Sequence, residues 1–149
     1  MTMQLATIAN SISGISVSGL SIKDVDEIPT SINQRQCPLL IPSPENYVSD
    51  VTIEVDSFGT GTARAMTLHY NLNYMLIHSV VGEGRVHVLD SYSGMLSKAC
   101  DFLDAFYALE GLTGAVDFQA TLGDPAIRTV GAIDFNSIDI RIEITEFVN

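Results

Sequence analysis

The strongest constraint in this chain is alternation. Ile138, Ile140, Ile142 and Ile144 interleave with Asp139, Arg141, Glu143 and Thr145. Met66, Leu68, Tyr70, Leu72, Tyr74 and Leu76 interleave in the same way with Thr67, His69, Asn71 and Asn73. Successive side chains of a strand point to opposite faces, so each run reads as a strand with one buried and one wet face. A sheet with one apolar face must bury it against another layer.

Helical periodicity supplies that layer. Leu5, Ile8, Ala9 and Ile12 fall on one face of a helix over residues 3–13, closed by Gly14. Over Ser93–Leu109 the stripe is Leu96, Ala99, Cys100, Leu103, Phe106 and Tyr107, with Lys98, Asp101 and Asp104 outside it. Ser91 and Ser93 are its expected caps, and Gly111 and Gly114 end it. Pro29 and Pro38 bracket a loop over Thr30–Gln36, and Leu39–Ile41 is a short strand closed by Pro42 and Pro44.

Val51, Ile53 and Val55 alternate with Thr52 and Glu54 as a half-buried strand. Across the Gly-rich stretch Ser57–Thr62 it forms a long hairpin, Asp50–Ser79, with the Met66–Leu76 run. The second arm exceeds the usual 5–6 residues of a strand, so its tip is expected to project from the body. After the break at Gly82–Gly84 and the helix, Val116, Phe118, Ala120 and Leu122 alternate as a strand. Gly123–Pro125 turns the chain, Ile127–Ile133 is a weaker strand, and the isoleucine run closes the sequence. The expected architecture is a single α+β domain over residues 1–149, with a mainly antiparallel sheet, a long β-hairpin and two helices packed on it.

Composition limits the function classes. Of 149 residues, 46% are apolar and 17% charged, the reverse of a disordered chain. No apolar run approaches the roughly 20 residues of a membrane-spanning helix, and no membrane partner is expected. The formal charge is −11, and the seven cations are scattered from Lys23 to Arg141. Duplex DNA binding needs clustered cations, so no specific nucleic-acid contact is expected; an acidic surface instead lets DNA pass without sticking. Cys37 and Cys100 read as small buried apolar side chains. The first cation is Lys23, so no signal peptide is expected, and synthesis in the cytoplasm is the default.

Chemical motifs fail one by one. Gly59-Thr60-Gly61-Thr62-Ala63-Arg64 has Arg64 where a dinucleotide loop needs its third glycine, and it leads into a strand. Glu83 puts a negative charge inside Gly82-Glu83-Gly84. Gly14–Gly19 is one residue too long for a nucleophile elbow. His69, His78 and His87 lack zinc spacing. Asp24, Asp26 and Glu27 open like a calcium loop, but Pro29 and Arg35 stand where its glycine and closing glutamate belong. The reading is therefore no enzyme: no catalytic, cofactor-binding or metal residue is assigned.

The order of segments carries a resemblance. The N-terminal helix is followed by Gly19-Leu20-Ser21-Ile22, running into Asp26-Glu27-Ile28-Pro29-Thr30-Ser31-Ile32-Asn33. Then come Pro38-Leu39-Leu40-Ile41-Pro42-Ser43-Pro44, the long hairpin, a helix rich in small and aromatic residues, and the alternating last strand. Over nearly its whole length the chain resembles the tail-terminator and tail-completion (head–tail joining) proteins of long-tailed bacteriophages. The resemblance implies a homohexameric ring in the tail or neck of a virion, made in the host cytoplasm. It would end tail-tube polymerisation and contact the tail-tube protein and a head-completion or connector protein, with DNA passing through its lumen. The hairpin then supplies the candidate subunit-interface residues Phe58, Arg64, Met66, Leu68 and Tyr70. Between Ala65 and Gly82 no Lys, Arg, Asp, Glu or Pro blunts its edge, so a neighbouring chain is expected to cover it. Two alternatives stay open: another connector ring or a tail-tube subunit, and a small ligand-binding or enzymatic domain using the His69, Asn71 and Asn73 face.

Overall fold

The computed structural model describes residues 4–29, 31–32, 36–55, 66–81, 86–109 and 115–148. Along the chain run α1 (Leu5–Ser13), β1 (Ser21–Ile22), a 3₁₀ turn (Val25–Glu27), β2 (Leu39–Pro42), β3 (Val48–Val55) and β4 (Met66–Val80). They are followed by α2 (Val86–Tyr107), β5 (Ala115–Leu122), β6 (Ala126–Val130) and β7 (Ile133–Val148). The fold is α+β, and its described strands form one seven-stranded, mostly antiparallel sheet.

The two alternating runs are neighbours. β4 and β7 pair antiparallel from Met66↔Val148 to Val80↔Phe135. Each long strand then carries two short ones on its other side. β2 and β3 divide the length of β4, and β6 and β5 divide that of β7. β1 adds a parallel pair to β2.

The alternation sorts the two faces as expected. Leu68, Tyr70, Leu72, Tyr74 and Leu76 of β4 are buried together with Ile138, Ile140, Ile142 and Ile144 of β7. Ile8 and Ile12 of α1 and Met95, Ala99, Phe102 and Phe106 of α2 close over them. On the opposite face the described residues cover the Val80 end. There Leu39, Ile41, Met75, Ile77 and Phe135 pack with Ile32 in a second, smaller core. β2 is thus buried on both faces, which accounts for its unbroken apolar run.

Several expectations are corrected. The apolar stripe of α2 is turned by one residue: Met95, Ala99, Phe102 and Phe106 are buried, whereas Leu96, Cys100 and Tyr107 are exposed and Leu103 is half-buried. Both sets share helical spacing, and packing chose between them. Cys100 is therefore not a buried apolar side chain, and Cys37 is only half-buried. The helix begins at Val86, which places Ser91 and Ser93 inside it instead of at its cap. Nothing between Arg85 and Ser93 breaks a helix, and the β-branched Val86 and Val88 disguised its start.

Ile127–Ile133 divides into β6 and the first residue of β7, joined by a turn at Gly131 with φ 65°. β7 is consequently sixteen residues long and accompanies β4 to its end. β4 therefore does not outrun its sheet: it is paired on both sides at Met66, by Val55 and Val148. The hairpin tip itself lies outside the described residues. Its first arm, β3, carries exposed apolar groups: Val51, Ile53 and Val55 are each about half exposed. The sequence pattern made it half-buried, but among the described residues Val48 is the one residue of β3 that packs against the main core.

Ile142 is fully enclosed, whereas Ile53 is 58% exposed. Ile142→Ala should cost about 2–5 kcal/mol in urea unfolding. Ile53→Ala should stay within about 0.5 kcal/mol of the parent. Equal shifts in the two midpoints would contradict this assignment of faces.

Candidate functional site

The solvent face of the sheet carries the polar halves of the alternating runs. Asn73 donates through Nδ2 to the Asn46 carbonyl (2.7 Å) and to Ser49 Oγ (2.8 Å). Asn71 Nδ2 donates to Asp50 Oδ2 (3.0 Å). His69 Nδ1 lies 3.1 Å from Thr145 Oγ1, and its Nε2 is 3.7 Å from Glu54. The three side chains are thus engaged separately, each with its own neighbour across the sheet. Asn73 lines a polar cleft of about 210 Å3 with Ser43, Glu45, Asn46, Arg128 and Asp139, and His69 and Asn71 do not take part in it. Arg128 forms a two-pronged ion pair with Asp139 (2.8 and 3.0 Å), and Arg141 sits 3.7 Å from Glu143. Arg128 and Arg141 are thus each offset by a carboxylate, and among the described residues Asp50, Glu54 and Asp117 leave this face acidic.

The second feature is a pair of sheet edges at the Met66 end. The order there is β3–β4–β7–β5, and neither outer strand pairs with a further strand among the described residues. Each is eight residues long. Because every step across the sheet is antiparallel, β3 and β5 run in opposite directions.

Backbone phase follows from two hydrogen bonds. Asn73 N–H donates to the Tyr47 carbonyl (2.8 Å). Backbone groups alternate sides along a strand, so Asn71, His69 and Thr67 also turn theirs toward β3, to Ser49, Thr52 and Glu54. Ile53 and Val55 then turn theirs to the outer edge. On the other side Gly123 N–H donates to the Asp139 carbonyl (2.7 Å), which in this register assigns Thr121 and Gln119 to β7. Phe118, Ala120 and Leu122 present their backbone groups outward. The Ala120 N–H accordingly donates away from the sheet, to the Tyr107 hydroxyl at 2.8 Å. Directly paired residues share a face, so Ile53 beside Leu68 and Phe118 beside Ile144 both point to the helix side.

Of the expected interface residues, Phe58 and Arg64 lie outside the described residues. Leu68 and Tyr70 are buried by their own chain and Met66 is half-buried. The exposed apolar groups of the hairpin are instead Val51, Ile53 and Val55 on its first arm. The acidic turn is a capped 3₁₀ turn: the Asp24 carboxylate accepts from Val25 N–H (2.7 Å), and Glu27 accepts from Asp24 N–H (3.2 Å).

Two polar side chains on the helix side, Glu146 and His78, take roles that the sequence pattern did not assign them. Glu146 continues the even-numbered series of β7 onto the apolar face and is fully buried. Its parity with Ile138–Ile144 was the available signal. Its Oε1 accepts from Gln4 N–H (2.7 Å), which supplies α1 with the N-terminal acceptor that no local side chain provides. Burial first, then the adjacent Glu146 charge, push the Tyr70 phenol far above its ordinary value. His78 is the extra residue of a bulge in β4 and leans on α2 at Gly94, where a Cβ would lie 3.2 Å from its Nε2. Burial and then the Lys98 charge hold its pKa below the ordinary value.

No family model matches this sequence, and no curated protein matches it.

Two outcomes follow from these two groups. Glu146→Ala removes a charged acceptor from a helix N-terminus and should destabilise by about 1.5–3 kcal/mol, with Glu146→Gln closer to the parent, in urea unfolding. The unfolded chain should protonate His78 near pH 6.5 while the folded chain still resists. Unfolded molecules then bind more protons, so stability falls as pH drops from about 6.5 toward the lowered folded value. Unfolding midpoints compared at about pH 7.5 and 5.5 should drop more for the parent than for His78→Gln.

Proposed function

We propose that this protein is a structural ring subunit, a tail terminator that forms a homohexamer at the head-proximal end of a phage tail tube, ends its growth and joins tail to head. The observation that carries this reading is the match between its two outer strands. β3 and β5 are equal in length and opposite in direction, and their outward backbone groups belong in both cases to residues facing the helix side. When β5 of one copy lies beside β3 of the next, antiparallel alternation continues and both helix layers stay on the same side. Val51, Ile53 and Val55 would then meet the row of Phe118, Ala120 and Leu122. A two-fold β3–β3 pairing centred on Thr52 would instead bring Asp50 of one copy opposite Glu54 of the other, which opposes it. A head-to-tail contact of this kind closes into a ring when its rotation permits.

Charge agrees with such a ring. With helices outside, the acidic sheet face lines the lumen, and six copies at −11 each carry about −66. Passing DNA is repelled by such a wall instead of being bound. The tail-tube protein and a head-completion or connector protein would sit on the two rims, with no membrane involved.

Negative-stain images of the concentrated protein should show single closed rings of six, and Ile53→Lys should abolish them while leaving the unfolding midpoint near the parent's. Long stacked tubes would point to a tail-tube subunit instead. A virion reconstruction with one copy of this chain, or with copies away from the DNA path, would sink the proposal.

A further inference from the structure

We propose that Tyr107 is a latch on the β5 edge, holding the isolated protomer unready to accept β3 of a second copy; this rests on the ring reading above. Ala120 lies within the eight-residue β5, and its outward N–H is one of the donors that an incoming β3 must engage. That donor is already taken by the Tyr107 hydroxyl at 2.8 Å. The phenol is held across the edge by two ring contacts. It stacks on Phe118, with centroids 6.1 Å apart and planes at 24°, and meets Phe106 edge-on at 5.3 Å. Tyr107 is nonetheless half exposed and is the last residue of α2. Rotation about its side-chain bonds therefore clears the edge without unwinding a helix.

The two edges differ in this respect. On β3, among the described residues, no side chain bonds the outward backbone groups of Ile53 or Val55. One edge is open and its complement is latched, so protomers meeting in solution bring an open strand to a closed acceptor. Assembly then favours a surface that displaces the phenol, such as a growing tail end. Sheet edges are commonly protected by covering them, and here the cover is one removable side chain.

The test uses the full chain as parent, Tyr107→Phe and Tyr107→Ala. Tyr107→Phe keeps the ring stack and loses only the hydroxyl. Residue-resolved hydrogen exchange on the monomer should show the Ala120 amide exchanging faster in Tyr107→Phe. A concentration series read by mass photometry should show its rings forming at roughly two- to tenfold lower concentration, the equivalent of one net hydrogen bond. Tyr107→Ala should shift at least as far. Unchanged Ala120 exchange, or a ring threshold that stays or rises while the parent still forms rings, overturns the latch and leaves the ring reading standing. Absence of rings from all three proteins at every concentration overturns the ring reading, and the latch with it.

Discussion

Everything in this molecule is arranged around the β4–β7 ladder. Two strands of fifteen and sixteen residues pair along almost their full length, and each brings an apolar row to the same face. Those rows make the main core, and the helices need only offer a matching surface. The same ladder is long enough to take two short strands on each flank. The sheet therefore has different neighbours at its two ends and different cover on its two faces.

The short strands divide the labour. At the Val80 end β2 is buried on both sides and ties the loop around Ile32 into a second core. At the Met66 end the flanking strands are the outermost ones among the described residues, and Val51, Ile53 and Val55 of β3 stay about half exposed. Apolar groups of β3 remain in water there because, among the described residues, Val51, Ile53 and Val55 take no part in the core. Exposed edges of this sort invite pairing unless blunted, and β3 bears only Asp50 and Glu54 as charges.

Polar groups placed against the grain of the pattern mark where the fold is most specific. Glu146 occupies an apolar position and serves as acceptor for the start of α1. His78 continues the even-numbered row of β4 onto the helix side, where Gly94 leaves it room. Tyr107 stands outside the buried stripe of α2 and reaches a backbone donor of a different element. Each joins parts of the chain distant in sequence, which periodicity cannot register.

By itself, the sequence determined the two alternating strands, the face each residue would take, the two helices and hence the α+β class. These are consequences of local period, and period is written in the order of residues. Tertiary structure alone decided that β4 and β7 are partners along their whole length, that α2 turns Met95 and Phe102 inward in place of Leu96 and Cys100, and that Val51, Ile53 and Val55 of β3 stay about half exposed. Those outcomes depend on which surfaces compete for burial once the chain is folded. The spacing along α2 fits either stripe, and only the shape of the facing sheet separates them. The polar row His69–Asn73 shows the same division: its face was legible, but its separate cross-strand partners came from residues some 15–76 positions away.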